Sequence, residues 1–89
     1  MPNAHNGWAN RSTWLVALWL DNDPYTYEEA RTLALATNNP HDAGRAVKDF
    51  VEEMQEEVVK PAFGLFTDLL AQAMCEVDWA EIGKHYREE

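Results

Sequence analysis

The sequence has few of the residues that mark secreted or nucleic-acid-binding proteins. Cys75 is its single cysteine, which excludes an internal disulfide and is typical of a reducing cytoplasm. Lys and Arg together number seven against sixteen Asp and Glu, a formal net charge of −9. Direct binding of phosphates needs basic clusters, so we expect no direct contact with nucleic acid. Residues 1–7 lack the apolar segment of a signal peptide, and we expect a cytoplasmic protein that contacts no membrane.

Patterns typical of catalytic or metal sites are also missing from the sequence. The three histidines have no His or Cys three or four residues away that would complete a zinc pair. Residues 21–23, Asp-Asn-Asp, resemble the start of a calcium loop but lack its glycine and distal glutamate, so they are interpreted as a helix stop. We therefore expect no catalytic residue, no metal and no cofactor, and predict that the protein is not an enzyme.

A helical pattern dominates what the sequence does contain. The stretch 14–20, Trp-Leu-Val-Ala-Leu-Trp-Leu, has no polar interruption, and as a helix it must be enclosed by other elements. A strand is the alternative for so short an apolar run. We predict a helix over about 11–21, with Trp14, Leu18 and Trp19 among the least exposed residues. The expected packing partners of this helix are Phe50, Met54, Phe66, Leu69, Leu70 and Trp79.

Capping residues divide the rest of the chain into further helices. The candidate caps and first-turn prolines are Asn10 or Ser12, Pro24, Asn39 with Pro40, and Asp78. Asp78 and Glu81 have the spacing of a reciprocal capping box, and Pro61 ends the third helix at residue 60. We predict one all-α domain over 1–89, a compact bundle of about five short helices around a fully apolar first helix, with an arm over 1–9.

The third helix shows the clearest division between an apolar and a charged face. Its apolar stripe comprises Val47, Phe50, Val51, Met54 and Val58. Its acidic face, the candidate partner-binding site, comprises Asp49, Glu52, Glu53, Glu56 and Glu57. Neighbouring carboxylates on a helix lie about 5–6 Å apart, comparable with phosphates along a nucleic-acid strand. The face could therefore mimic DNA toward a basic protein surface, or it could serve solubility alone.

The fourth helix has an apolar face that is too wide for contact with one neighbour. Its apolar residues are Leu65, Phe66, Leu69, Leu70, Ala73, Met74 and Val77. Exposed apolar surface usually marks a partner site, so we expect a tendency to form homodimers.

Two segments of the chain resemble a known group of proteins. The first is Asn6-Gly7-Trp8-x-Asn10-x-x-Thr13-Trp14-Leu15-Val16-x-Leu18-Trp19-Leu20-x-Asn22-Asp23, and the second is Val77-Asp78-Trp79-x-Glu81-Ile82. Both resemble small uncharacterised proteins carried by phages, plasmids and some archaea, although this chain has Ser12 where that group commonly has Glu. The resemblance implies a helical accessory protein of a mobile element. Small acidic phage proteins of this kind are similar to anti-CRISPR and anti-restriction inhibitors of host defence.

Two functional hypotheses follow from these patterns. The first is a non-enzymatic acidic protein that binds the basic protein surface of a nucleic-acid-handling host complex and inhibits it. The alternative is a homodimeric structural or assembly module whose acidity only keeps it dissolved. Salt distinguishes them, because exposed charge pairs weaken as ionic strength rises and apolar contacts do not.

Overall fold

The computed structural model describes residues 7–58 and 64–88 of the chain. Within those ranges it contains five helices and no strand. They are α1 (Arg11–Asn22), α2 (Pro24–Leu35), α3 (Pro40–Val58), α4 (Gly64–Glu76) and α5 (Trp79–Glu88). The prediction of an all-α bundle is confirmed. The predicted end of the third helix at residue 60 and residues 1–6 of the predicted arm lie outside the described residues.

Side-chain caps start four of the helices. In each, an oxygen accepts a backbone N–H two or three residues on: Asn10 from Thr13 (2.8 Å), Asp23 from Tyr25 (2.9 Å), Asn39 from Asp42 (2.9 Å) and Asp78 from Glu81 (3.1 Å). Asn10 is therefore the cap of α1, and Ser12 lies inside that helix. Pro24 and Pro40 occupy the first positions of α2 and α3, where a missing N–H costs nothing. These local predictions are confirmed.

α3 and α5 cross in direct backbone contact. A methyl group added at Gly44 would overlap the carbonyl oxygen of Trp79. One added at Gly83 would overlap the backbone nitrogen of Gly44 and the carbonyl oxygen of Pro40. The two helices therefore touch backbone to backbone, which only glycine at both positions permits.

Buried side chains surround this crossing. Val47 of α3 and both Ile82 and Tyr86 of α5 are fully buried, and so are the small residues Ala30 and Ala34 of α2. Among the described residues, the core comprises Ala17, Leu20, Ala30, Ala34, Ala43, Val47, Phe50, Val77, Ile82 and Tyr86. Its centre is thus formed by α3 and α5, with α2 packed against both and one face of α1 packed against α2 and α5.

The prediction that a fully enclosed α1 forms the centre of the bundle is wrong. Trp19 is 68% exposed and Leu18 is 36% exposed, while Trp14 is only half-buried. α1 buries one face alone, that of Thr13, Ala17 and Leu20. The physical reason is that the central place goes to the helices that approach most closely, and α1 has no glycine. Leu69, expected to pack on α1, is 58% exposed, and the side chain of Phe66 lies outside what the structure describes.

α4 is the helix with the least support from the rest of the fold. Among the described residues it packs on α1 and accepts one hydrogen bond from α5, in which Trp79 Nε1 donates to the carbonyl of Met74 (3.2 Å). Leu65 and Leu69 are each more than half exposed. The part of its apolar face formed by Leu65 and Leu69 is therefore uncovered. No helix in the described part of the chain combines the length and apolarity that crossing a membrane requires.

The α3–α5 crossing predicts that an added methyl group lowers stability at the crossing but not at an exposed glycine. We expect Gly83→Ala to destabilise the protein by about 3 kcal/mol, the upper end of the cost of overpacking, because two backbone segments must move apart. Gly64→Ala is the matched control, since no atom lies within 4 Å of a methyl group there. Urea unfolding of both variants followed by circular dichroism tests this, and equal midpoints would refute the close crossing.

Candidate protein-binding surface

The predicted partner-binding residues all lie on the exposed second half of α3. The structure places Asp49, Glu52, Glu53, Glu56 and Glu57 at the surface. Within the described ranges, none of these carboxylates makes an ion pair or a hydrogen bond. Lys48, one turn before Glu52, does not form an ion pair with it. The acidic face, defined as these five residues, therefore presents carboxylates that have no counter-ion among the described residues.

The acidic face has two sides with different neighbours. Glu53 and Glu57, one turn apart, line a groove of about 340 Å³ together with Tyr25, Phe50 and Met54. We call this groove, between α2 and α3, the acidic groove. The other carboxylate pair, Glu52 and Glu56, does not line it. The same helix thus carries one pair of carboxylates beside apolar side chains and one pair in solvent.

Tyr25 forms the aromatic rim of the acidic groove. It is 65% exposed, and its ring meets Phe50 edge-on with 6.3 Å between the ring centroids. Its backbone N–H is bound by the Asp23 cap, which fixes the first turn of α2. Because the cap fixes its backbone and Phe50 supports its ring, Tyr25 could contact a binding partner without a large loss of side-chain entropy.

A second groove lies on the other side of Met54, between α1 and α3. Its volume is about 270 Å³, and its lining is Leu15, Val16, Trp19, Leu20, Val51 and Met54. Every lining side chain is apolar, so we call it the apolar groove. Sequence reasoning missed it because Trp19 was assigned to the core. The available signal was an apolar run surrounding all sides of a helix that lacks glycine.

The two segments that carry the family resemblance bind each other through a polar network. Thr13 is fully buried, and its hydroxyl donates to Asn10 Oδ1 (2.8 Å) and accepts the N–H of Asp78 (2.8 Å). Asn10 Nδ2 also donates to the carbonyl of Glu76 (2.7 Å). The start of α1 is thereby tied to the junction of α4 and α5.

The predicted reciprocal capping box at the start of α5 is half wrong. Asp78 accepts the N–H of Glu81 as expected, but its own N–H is taken by Thr13. The Glu81 carboxylate accepts the N–H of Ala9 instead, at 3.0 Å. Glu81 thus binds the segment before α1 to α5.

Residues 21–23 end α1, as interpreted from the sequence, and Asp21 has a further structural role. Its carboxylate accepts the hydroxyl of buried Tyr86 (2.6 Å) and lies 3.2 Å from His85 Nε2. The ring of Trp8 packs edge-on against His85, with 5.1 Å between the centroids. Trp8 thus covers α5. In the part of the chain that the structure describes, no three His, Cys, Asp or Glu side chains are grouped to hold a metal ion.

The chain belongs to the family of unknown function DUF7249, whose profile matches residues 1–89. Comparisons with curated proteins and with solved structures each gave no match. The family description names no activity, ligand or partner, so the geometry of the surface is the basis for a functional assignment.

The Thr13 network predicts that its hydroxyl is essential for stability. Thr13→Val keeps the shape of the side chain but leaves the Asp78 N–H without its acceptor, and we expect a loss of about 1–3 kcal/mol. Asn10 Oδ1 loses the hydroxyl but keeps the backbone N–H of residue 13. Thr13→Ser retains the hydroxyl and is expected to recover most of that loss. Chemical unfolding of the three proteins measures the difference. A Thr13→Val protein as stable as wild type would show that the network contributes nothing.

Proposed function

We propose that the protein is a non-enzymatic binding protein that docks through the acidic face of α3 on a basic surface of another protein. The observation that supports this is the set of five exposed carboxylates that have no partner among the described residues. Like charges one turn apart cost a helix a few tenths of a kcal/mol for each pair. A basic partner would offset this repulsion by attracting the carboxylates.

The chemistry of the acidic face favours a partner that normally binds nucleic acid. Carboxylates about 5–6 Å apart on a helix repeat negative charge at a spacing close to that of phosphates. A surface built to hold phosphates with Lys and Arg would accept such a face. The net charge of −9 would also steer the protein toward a basic surface and speed association.

The finer proposal concerns the biological setting. The resemblance of the N-terminal and closing segments to proteins of phages and plasmids supports an accessory protein of a mobile element. Its small size and acidity support an inhibitor of the anti-CRISPR or anti-restriction type. We propose that it acts in the host cytoplasm on a nucleic-acid-handling defence complex, with no cofactor.

The uncovered face of α4 supports a second candidate function, a homodimeric assembly module. Leu65 is 54% exposed and Leu69 is 58% exposed on a helix with only two charged residues, Asp68 and Glu76. A second copy would meet less negative charge there than at the acidic face. In this case the acidity would serve solubility.

Charge reversal on α3 tests the first candidate. A partner is captured from nuclease-treated host lysate and titrated with wild type and with Glu53→Lys/Glu57→Lys. We expect the affinity to fall by about 10- to 100-fold, mainly through slower association, and its dependence on salt to weaken. Both positions are exposed and off the core, so the melting temperature should not fall. Equal affinities would place the interface elsewhere.

Light scattering tests the second candidate. If α4 mediates self-association, the mass at high micromolar concentration will be twice the 10.2 kDa of the chain in both low and high salt. Leu65→Asn/Leu69→Asn should then restore the monomer mass, and Leu35→Asn, an exposed leucine of α2, is the control. A monomer mass for wild type at both salt concentrations would eliminate this candidate.

A further inference from the structure

We infer that the acidic groove and the apolar groove together form one composite docking site for an amphipathic segment of the partner, which inserts an arginine beside Tyr25 and an apolar side chain beside Trp19. The inference rests on the proposed function, because it specifies the partner chemistry that the acidic face would recognise. Met54 lines both grooves, so they adjoin on the surface of α3.

The acidic groove has the complementary groups for a guanidinium. Glu53 and Glu57 supply two carboxylates one turn apart, and neither is neutralised by a described cation. A planar guanidinium pairs with carboxylates through two parallel hydrogen bonds and also stacks on an aromatic ring. Tyr25 provides that ring at the rim, and Phe50 and Met54 provide an apolar floor for the methylene stem of the arginine. A lysine would match the charge but not the planar contacts.

The apolar groove selects a side chain of the opposite kind. Its lining has no polar side chain, so a charged or polar group entering it would lose hydration without gaining a hydrogen bond. A leucine, methionine or phenylalanine would instead cover Trp19, which is 68% exposed in the isolated chain. Large exposed aromatic residues of this type often dominate the binding energy of interfaces.

The two grooves fit one segment because of their arrangement around Met54. Their linings on α3 include the consecutive residues Phe50 and Val51, one on each side of the apolar stripe. A partner helix presents neighbouring side chains about 5–6 Å apart at positions three or four residues apart. Methionine adapts its shape to different neighbours, so the shared residue can adjust to both inserted side chains.

Charge identifies the occupant as a basic partner and argues against a second copy of this chain. A second copy would bring its own net charge of −9 to a groove already lined by two carboxylates. A basic segment would be attracted to the same groove.

Selection from a peptide library tests the composite site directly and does not require the natural partner. A random 12-residue display library is panned on the full chain, and the affinity of a selected peptide is measured by fluorescence anisotropy. We expect enrichment of arginine three or four residues from a large apolar residue. Enrichment of lysine in place of arginine, or of peptides without a basic residue, would overturn the inference.

Matched variants then locate the bound peptide. Glu53→Gln/Glu57→Gln should lower its affinity by about tenfold. The control, Glu52→Gln/Glu56→Gln, removes the same charge from the same helix outside the groove and should change the affinity by less than about twofold. Trp19→Ala should lower the affinity by about tenfold or more, whereas Leu18→Ala, an exposed neighbour that lines neither groove, should not.

The outcomes separate failure of this inference from failure of the proposed function. Equal losses for the two Gln pairs would overturn the composite site and leave a diffuse acidic interface in place. No loss for either pair would overturn the composite site, and the charge-reversal titration with the captured partner would then decide the proposed function separately. A dimer mass for wild type that Trp19→Ala converts to a monomer would show that a second copy occupies the apolar groove, which would also overturn the inference.

Discussion

The backbone contact between Gly44 and Gly83 is the constraint on which the rest of the structure depends. It draws the first half of α3 against α5 so closely that no side chain fits between them. α3 has 19 residues and α5 has 10, so at 1.5 Å per residue α3 is about 14 Å longer. The second half of α3 therefore extends past the crossing. Among the described helices, α2 packs on this half, and side chains of α1 lie beside its apolar stripe.

That incomplete cover explains why the apolar and acidic features occur together. α2 reaches the stripe at Phe50 through the ring of Tyr25, and α1 reaches it from the other side with Leu20. Neither helix covers Met54 fully, so a groove remains on each side of it. The carboxylates lie on the same half of α3 because a helix that is buried along one stripe must be polar on its other faces. Two of them reach the edge of the stripe, where they meet apolar surface.

The sequence predicted what local chemistry determines and missed what distant contacts determine. Helix boundaries followed from caps such as Asn39 and from prolines, because each acts within one turn. The centre of the bundle could not be predicted in this way. Gly44 and Gly83 look like ordinary glycines within helical patterns until the two helices are placed together. A long apolar run does not by itself place a helix at the centre of a bundle. The candidate carboxylates were found from spacing alone, but the grooves beside them depend on which helices meet.

The fold alone does not explain why Trp19 is an exposed tryptophan. Most residues of the two segments that resemble phage and plasmid proteins have a role within the fold: Asn10 and Thr13 bind the junction before α5, and Asp78 caps that helix. Trp19 belongs to the first segment, but it is 68% exposed and contributes little to the core. Exposing a large apolar ring opposes solubility, and stability does not require it. A partner side chain in the apolar groove would bury that ring and give it a function that the isolated fold does not.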